Sequence, residues 1–311
     1  MRNIFAEVLY QNAIKNKNIY VVVADISIAG NMINFQKKYP RRFINVGVSE
    51  MTMIGMCAGL ALEGKRSFAY TIANFTLYRP FEMVRNDLCY QNLPVTIVGM
   101  GSGTTYATLG GTHITMEDIS VARSIPNMTI IAPSDPLELK QAVDYCCNKS
   151  NSPTYLRIGK SGEKNYTQIS KEKWQFGKIR KIIEGKDICF LTYGNIIRKS
   201  FAAAENLKKL GIKSSIYSCS TLKPFDKIRL KKIFRKYKYI VVIEDHSIIG
   251  GLTEIVKVLA FENKYSGNIQ SFSLQDKFIN NYGSQDDLLD SHGLSDKKII
   301  ESTVKFIKKY E

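Results

Sequence analysis

The chain has 311 residues, 44% of them apolar and 23% charged, and carries a net charge of +16. That length suits two domains of ordinary size, and the composition is the one expected of a soluble globular protein. The positive charge does not define a nucleic-acid surface: its denser clusters, Lys231-Lys232, Arg235-Lys236 and Lys308-Lys309, fall on expected solvated helix faces with no interleaved aromatics.

The opening segment, MRNIFAEVLYQNAIKNKN, lacks the uninterrupted apolar core of a signal peptide. No run approaches the roughly 20 apolar residues of a membrane span, so a cytoplasmic protein is expected. Short β-rich runs then alternate with helical patterns, which predicts an α/β fold with parallel layering. In the first half the expected strands are 19–24, 43–46, 67–71, 95–99, 129–132 and 154–158. Residues 45–62, NVGVSEMTMIGMCAGLAL, read as a strand running into a helix that is apolar nearly all the way round, with Glu50 in its first turn. A helix without a polar face is expected to be buried on all sides. Its lone carboxylate is either a solvated end group favoured by the helix dipole or a group held in a dry pocket for chemistry.

Further along, Phe75 and Tyr78 lie three apart in TIANFTLYR, as core packing or as a platform for a flat ring. The Gly/Thr stretch 99–118 is too long for a simple connection, and loops of that kind are more often functional. Its composition suits phosphate but its spacing matches no dinucleotide or P-loop motif. His113 ends it in Gly-Gly-Thr-His, either as a hydrogen-bonded loop residue or as an acid/base imidazole. Asp135 is placed to cap a helix with Pro136 at its first position, Glu138 completing a capping box, and Leu139, Ala142, Val143 and Cys146 facing inward.

Residues 159–185 are polar and Gly/Lys-rich. They divide the chain into a domain of residues 1–160, a linker 161–185 and a smaller α/β domain 186–311. The second domain restarts the pattern with strands 188–192, 214–218, 239–243 and 269–273 and helices near 196–210 and 251–262. Glu244-Asp245-His246 reads mainly as a strand-to-helix turn. The six cysteines form no CxxC pair and read as reduced structural thiols. No histidine has a helical i,i+4 partner, so a protein-only metal site is not expected.

RFINVGVSEMTMIGMCAGLAL, YTIANFTLYRPFEMVRND, LGGTHITMEDISVARSIPNMTIIAPSDPLE, LKPFD and IEDHSIIGG stand here in one order. With them the chain resembles, over nearly its whole length, the C-terminal half of transketolase: the pyrimidine-binding domain followed by the C-terminal domain. Similar modules occur in deoxyxylulose-phosphate synthase and in the β subunits of 2-oxoacid dehydrogenases. The resemblance implies two domains, each a mainly parallel sheet flanked by helices, and thiamine diphosphate as cofactor. It implies that Glu50 bonds the aminopyrimidine N1′, that Phe75 stacks on that ring with Tyr78 beside it, and that Asp25 lies at the cofactor edge. It places His113 near the reacting carbon and Arg157 and Arg2 on substrate. His246 is a candidate for the site entrance, and His292 is structural. A carboxyl group sharing a proton with N1′ in a water-poor pocket favours the ring tautomer that the chemistry needs, and a stacked aromatic orients the transfer.

The family anchors the diphosphate through Mg²⁺ on a Gly-Asp-Gly motif, which this sequence lacks. The resemblance therefore implies a split enzyme. A separate N-terminal-half subunit would carry the diphosphate and Mg²⁺ site, the assembly would be an α2β2 heterotetramer, and the lone chain would be inactive. Leu109 stands where the family carries an aspartate that reads a substrate hydroxyl, and Gly101 and Ser102 stand near the place of a second histidine. Loss of such a partner changes discrimination strongly, so a modified sugar substrate is expected. The residues leave two alternatives open: a 2-oxoacid donor with decarboxylation, and a non-catalytic scaffold subunit.

Overall fold

The computed structural model describes residues 1–310. In the first half the strands are β1 (Ile19–Val23), β2 (Phe43–Asn45), β3 (Arg66–Ile72), β4 (Thr96–Met100), β5 (Thr129–Ile131) and β6 (Thr154–Ile158). The second half adds β7 (Arg180–Ile183), β8 (Ile188–Thr192), β9 (Ser214–Ser218), β10 (Thr221–Lys223), β11 (Tyr239–Ser247) and β12 (Asn268–Leu274). They form a seven-stranded sheet ordered β10-β5-β6-β4-β3-β1-β2 and a five-stranded sheet ordered β12-β11-β8-β9-β7. All neighbours are parallel except β10 with β5 and β7 with β9. Runs such as IYVVV and TIVGM are apolar on both pleat faces because helices cover both sides of such a sheet. No helix among the described residues is long and apolar enough to cross a membrane.

Three strands depart from the sequence reading. The segment 161–185 is not only a linker, since it contains β7, an edge strand of the second sheet. The second half also sends β10 back to pair with β5 of the first sheet. Both strands are short and carry basic residues (RKII, TLK), as edge strands commonly do, and so lack a strong period-two signal. Glu244, Asp245 and His246 lie inside β11, which continues past a register shift to Ser247, instead of forming a turn.

The helix Pro136–Asn148 starts as expected, with the Asp135 side chain accepting from the Glu138 amide at 2.9 Å. Glu138 does not close a capping box on Asp135. Its carboxylate accepts from the Ser134 amide and from the Ser218 hydroxyl of β9, each at 2.9 Å, because the second sheet buries it completely. That burial pushes its carboxyl above the usual range.

The helix Glu50–Leu62 departs most informatively. Glu50, Met53, Ile54, Cys57, Ala58 and Ala61 face inward at helical spacing. The opposite face is equally apolar yet open, with Met51 54% and Leu62 64% exposed beside Met56, Gly55 and Gly59.

A buried polar cluster joins the two domains. Arg157 on β6 donates from Nε to Asp118 and from Nη2 to the backbone carbonyl of Asp245 on β11, at 2.8 and 2.9 Å. Thr104 donates its amide and hydroxyl to the Asp245 carboxylate at 3.0–3.3 Å. Gly103 has a φ of +67°, and a Cβ there would overlap the Asp245 carboxylate, so glycine is required for this approach. All six cysteines are free and buried.

Candidate active site

Chain order along the first sheet reverses at β1: β2 lies on one side of it and β3 on the other. Ligands of open α/β sheets bind in the crevice outside the strand carboxyl ends at such a reversal. A cleft of about 450 Å³ opens there. Ala24–Ser27 after β1, Thr71 and Ile72 at the end of β3, and Met100 at the end of β4 form its base. Val48 just before the Glu50–Leu62 helix and Glu50 at its start, Phe75 in the Ala73–Leu77 helix and Arg79 two residues past it, and Arg2, Tyr106 and Leu109 complete the lining.

Glu50 is the buried carboxylate of this cleft, 5% exposed. Arg79 donates from Nη1 to both of its oxygens, at 3.2 and 3.3 Å. The same guanidinium lies over the Phe75 ring, 4.9 Å from its centroid. Asp25 is exposed on the opposite wall with a φ of 44°. This left-handed conformation is one that aspartate enters more readily than most residues. The Asn45 side chain fixes that wall by accepting from the Asp25 and Gly47 amides at 3.1 and 3.0 Å. Arg2 reaches in from the amino-terminal helix, and its buried Nε has no hydrogen-bond partner among the described residues.

His113 sits behind this lining. Its ring meets Phe75 edge-on at 5.4 Å and Tyr106 at 6.4 Å, and Thr112 Oγ1 lies 2.9 Å from Nδ1. Tyr106 packs closely over Gly101 (φ +72°), where any Cβ would overlap its ring. Leu109 is 46% exposed at the lip.

Of the residues expected from sequence, Glu50, Phe75, Asp25 and Arg2 come together, with His113 adjoining. Three others lie elsewhere. Tyr78 caps the Ala73–Leu77 helix and turns away, its hydroxyl donating to Glu117 at 3.1 Å, so it does not line the cleft. Burial, reinforced by Asp118 and Glu117, pushes that phenol far above its ordinary value. Arg157 is not at the cleft either, because strand alternation puts it with Tyr155 on the sheet face where Asp118 neutralises it. His246 is fully buried rather than bordering an entrance, with Nε2 3.9 Å from Asp118 Oδ1. Sequence reasoning missed Tyr106, Val48 and Arg79. Only Arg79 had a signal, since it directly follows the two aromatics.

Comparison with known proteins agrees with this two-domain fold. The family model described as "Transketolase, pyrimidine binding domain" matches residues 1–163, and "Transketolase, C-terminal domain" matches residues 177–299. The chain belongs to the transketolase family. It is 34% identical to a putative transketolase C-terminal section of Methanocaldococcus jannaschii, over 99% of this chain and 96% of that protein. It is 30% identical to one subunit of an apulose-4-phosphate transketolase of Actinobacillus succinogenes, over 97% of this chain and 96% of that one. A solved split-gene transketolase, described as an inactive β4 tetramer, superposes with a TM-score of 0.89 at 30% identity. That match covers 99% of this chain and 98% of the solved one.

Proposed function

We propose that this chain is one subunit of a two-chain transketolase-like transferase. Its cleft takes the aminopyrimidine end of thiamine diphosphate, and a second chain takes the diphosphate and Mg²⁺. The observation that carries this reading is the meeting of a buried carboxylate, Glu50, with an aromatic face, Phe75, in the switch-point crevice. The residues fit that ring: a flat, charged, hydrogen-bonding group, the Arg79 guanidinium, already sits between the two.

When bound, the cofactor supplies a carbon nucleophile that takes up a two-carbon ketol unit from a ketose and passes it to an aldehyde or ketone acceptor. Glu50 holds a proton at N1′ and so selects the ring tautomer, a role that needs a carboxyl kept from bulk water. Phe75 fixes the ring plane, which makes the proton transfer an oriented one. His113, adjoining the cleft, moves protons to and from substrate oxygens. Arg2, part of the cleft lining, offers its positive charge to an anionic or hydroxyl-bearing substrate, and Asp25 lines the rim where cofactor and substrate meet.

The open apolar face of Glu50–Leu62 supports a partner. Val48 and Met51, beside the cleft-bearing helix start, and Leu62, at the far end of the helix, are more than half exposed, and Gly55 and Gly59 permit close backbone approach. We assign this face to the second chain, in an assembly of two copies of each. Leu109 at the lip favours an unusual ketose, in keeping with a relative whose name specifies apulose 4-phosphate.

The test is ketol transfer by the chain reconstituted with a diphosphate-domain subunit. Glu50→Gln should lower kcat by at least about 10²-fold, within the range for lost proton transfer, while the melting temperature stays unchanged. Full activity in that variant, or CO₂ release from a 2-oxoacid without ketose cleavage, contradicts the reading.

A further inference from the structure

Arg79 makes two contacts at once. It pairs with both oxygens of Glu50, and its plane-bearing end lies 4.9 Å above the Phe75 ring centroid. It is also 55% exposed and extends from a short helix end, so its far side is free to move into solvent. An aminopyrimidine is planar, carries an amidine-like N–C–N edge and needs one carboxylate and one aromatic face. Guanidinium has the same N–C–N edge and the same plane, and it stacks on aromatics for the same reasons.

We infer that Arg79 is a placeholder for the aminopyrimidine ring: in the free chain its guanidinium occupies the ring's seat between Glu50 and Phe75, and the ring binds by displacing it. This inference rests on the cofactor reading above and extends it to the resting state. The placeholder answers a physical problem that a split enzyme has. Before assembly, Glu50 is a 5%-exposed carboxylate, and its only side-chain hydrogen-bond partner among the described residues is Arg79. A buried carboxylate without a partner is strongly unfavourable. Arg79 satisfies Glu50 while the seat is empty, and its exposure lets it swing into solvent when a ring arrives. The cost of displacement lowers apparent ring affinity by the fraction of time the seat is closed. The ring therefore binds productively only when a further contribution, such as a second chain holding the diphosphate, outweighs the ion pair.

The full-length chain alone serves for the test, with 4-amino-2,5-dimethylpyrimidine as probe, since it carries the ring without thiazolium or phosphate. Titration by ligand-observed NMR and calorimetry should give Arg79→Ala a Kd about fivefold lower than wild type, the size of effect expected when a half-exposed ion pair no longer competes. Arg79→Lys, which keeps the charge and loses the planar fork, should fall between the two. Glu50→Gln should weaken binding in the Arg79→Ala background. Arg79→Ala should melt below wild type, because Glu50 then lacks its partner, and a near-UV circular dichroism spectrum matching that of wild type at the titration temperature checks that the fold is intact. Equal or weaker probe binding by Arg79→Ala overturns the placeholder and leaves the cofactor reading standing, because Arg79 would then hold the ligand or ignore it. No binding to any variant, with Phe75→Ala and Glu50→Gln indistinguishable from wild type, overturns both.

Discussion

Among single residues, the proposed function rests on how a few side chains meet in the cleft. Phe75 has the Arg79 guanidinium over its ring and meets the His113 ring in a T-shaped contact. Removing the ring should raise the Kd of the assembled enzyme for thiamine diphosphate about five- to tenfold, from the ~1 kcal/mol typical of aromatic stacking. Calorimetric titration of Phe75→Ala checks this, and an unchanged Kd would remove Phe75 from the site. Glu50, Phe75 and Asp25 were legible in the sequence because short motifs fix them to a strand end or a helix start. Tyr78 and Arg157 were misplaced for one reason: spacing gives the element but not the face. A single step of strand alternation sends Arg157 to Asp118, and the end of a five-residue helix turns Tyr78 to Glu117. Arg79 stood in plain view, yet its role exists only through a three-dimensional contact with a residue 29 positions earlier.

Among the elements, the Glu50–Leu62 helix packs inward with one apolar face and presents another to solvent. Met51→Asp should leave the lone chain's stability within about 0.5 kcal/mol, as for an exposed position, and abolish assembly with the diphosphate-domain subunit. Light scattering behind gel filtration reads the second effect, and normal assembly would move the partner surface elsewhere. Nothing in the residue pattern signals this openness, since an apolar face looks the same whether its own domain or another chain covers it. A second element is tied by His292 at the end of the Gln285–Ser291 helix, whose Nδ1 accepts from the Gln275 amide at 3.0 Å. Burial, with Lys277 nearby, holds this imidazole below its ordinary value. The unfolded chain therefore binds the proton first as pH falls below about 6.5, and stability present above that pH drops as the pH descends toward the folded value. Urea midpoints at pH 7.5 and 5.5 should differ less in His292→Asn than in wild type. An equal pH response contradicts the assignment.

Across the whole molecule, two α/β units were legible from alternating strand and helix patterns, but the way they lock together was not. β10 crosses back to the first sheet, and Asp118, Arg157, Thr104 and Asp245 form a buried ionic seam. Burial raises the Asp245 carboxyl, opposed by Arg157 and Thr104. Arg157→Ala leaves two buried carboxylates without their cation and should cost about 3–5 kcal/mol, read as a lower urea midpoint; a loss under 1 kcal/mol would show the seam to be dispensable. That seam also anchors the 101–113 loop at Thr104, which sets where His113 stands behind the cleft.

If this chain supplies only the ring half of a shared cofactor site, cofactor binding must depend on a second chain. Calorimetric titration of thiamine diphosphate with Mg²⁺, into the chain alone and into the chain mixed with a diphosphate-domain subunit, decides the matter. Saturable binding is expected in the mixture, at one cofactor per copy of this chain and abolished by Glu50→Gln paired with Phe75→Ala, with no tight binding to the chain alone. Tight stoichiometric binding by the lone chain, or a mixture that binds equally well without those two side chains, would contradict the shared site.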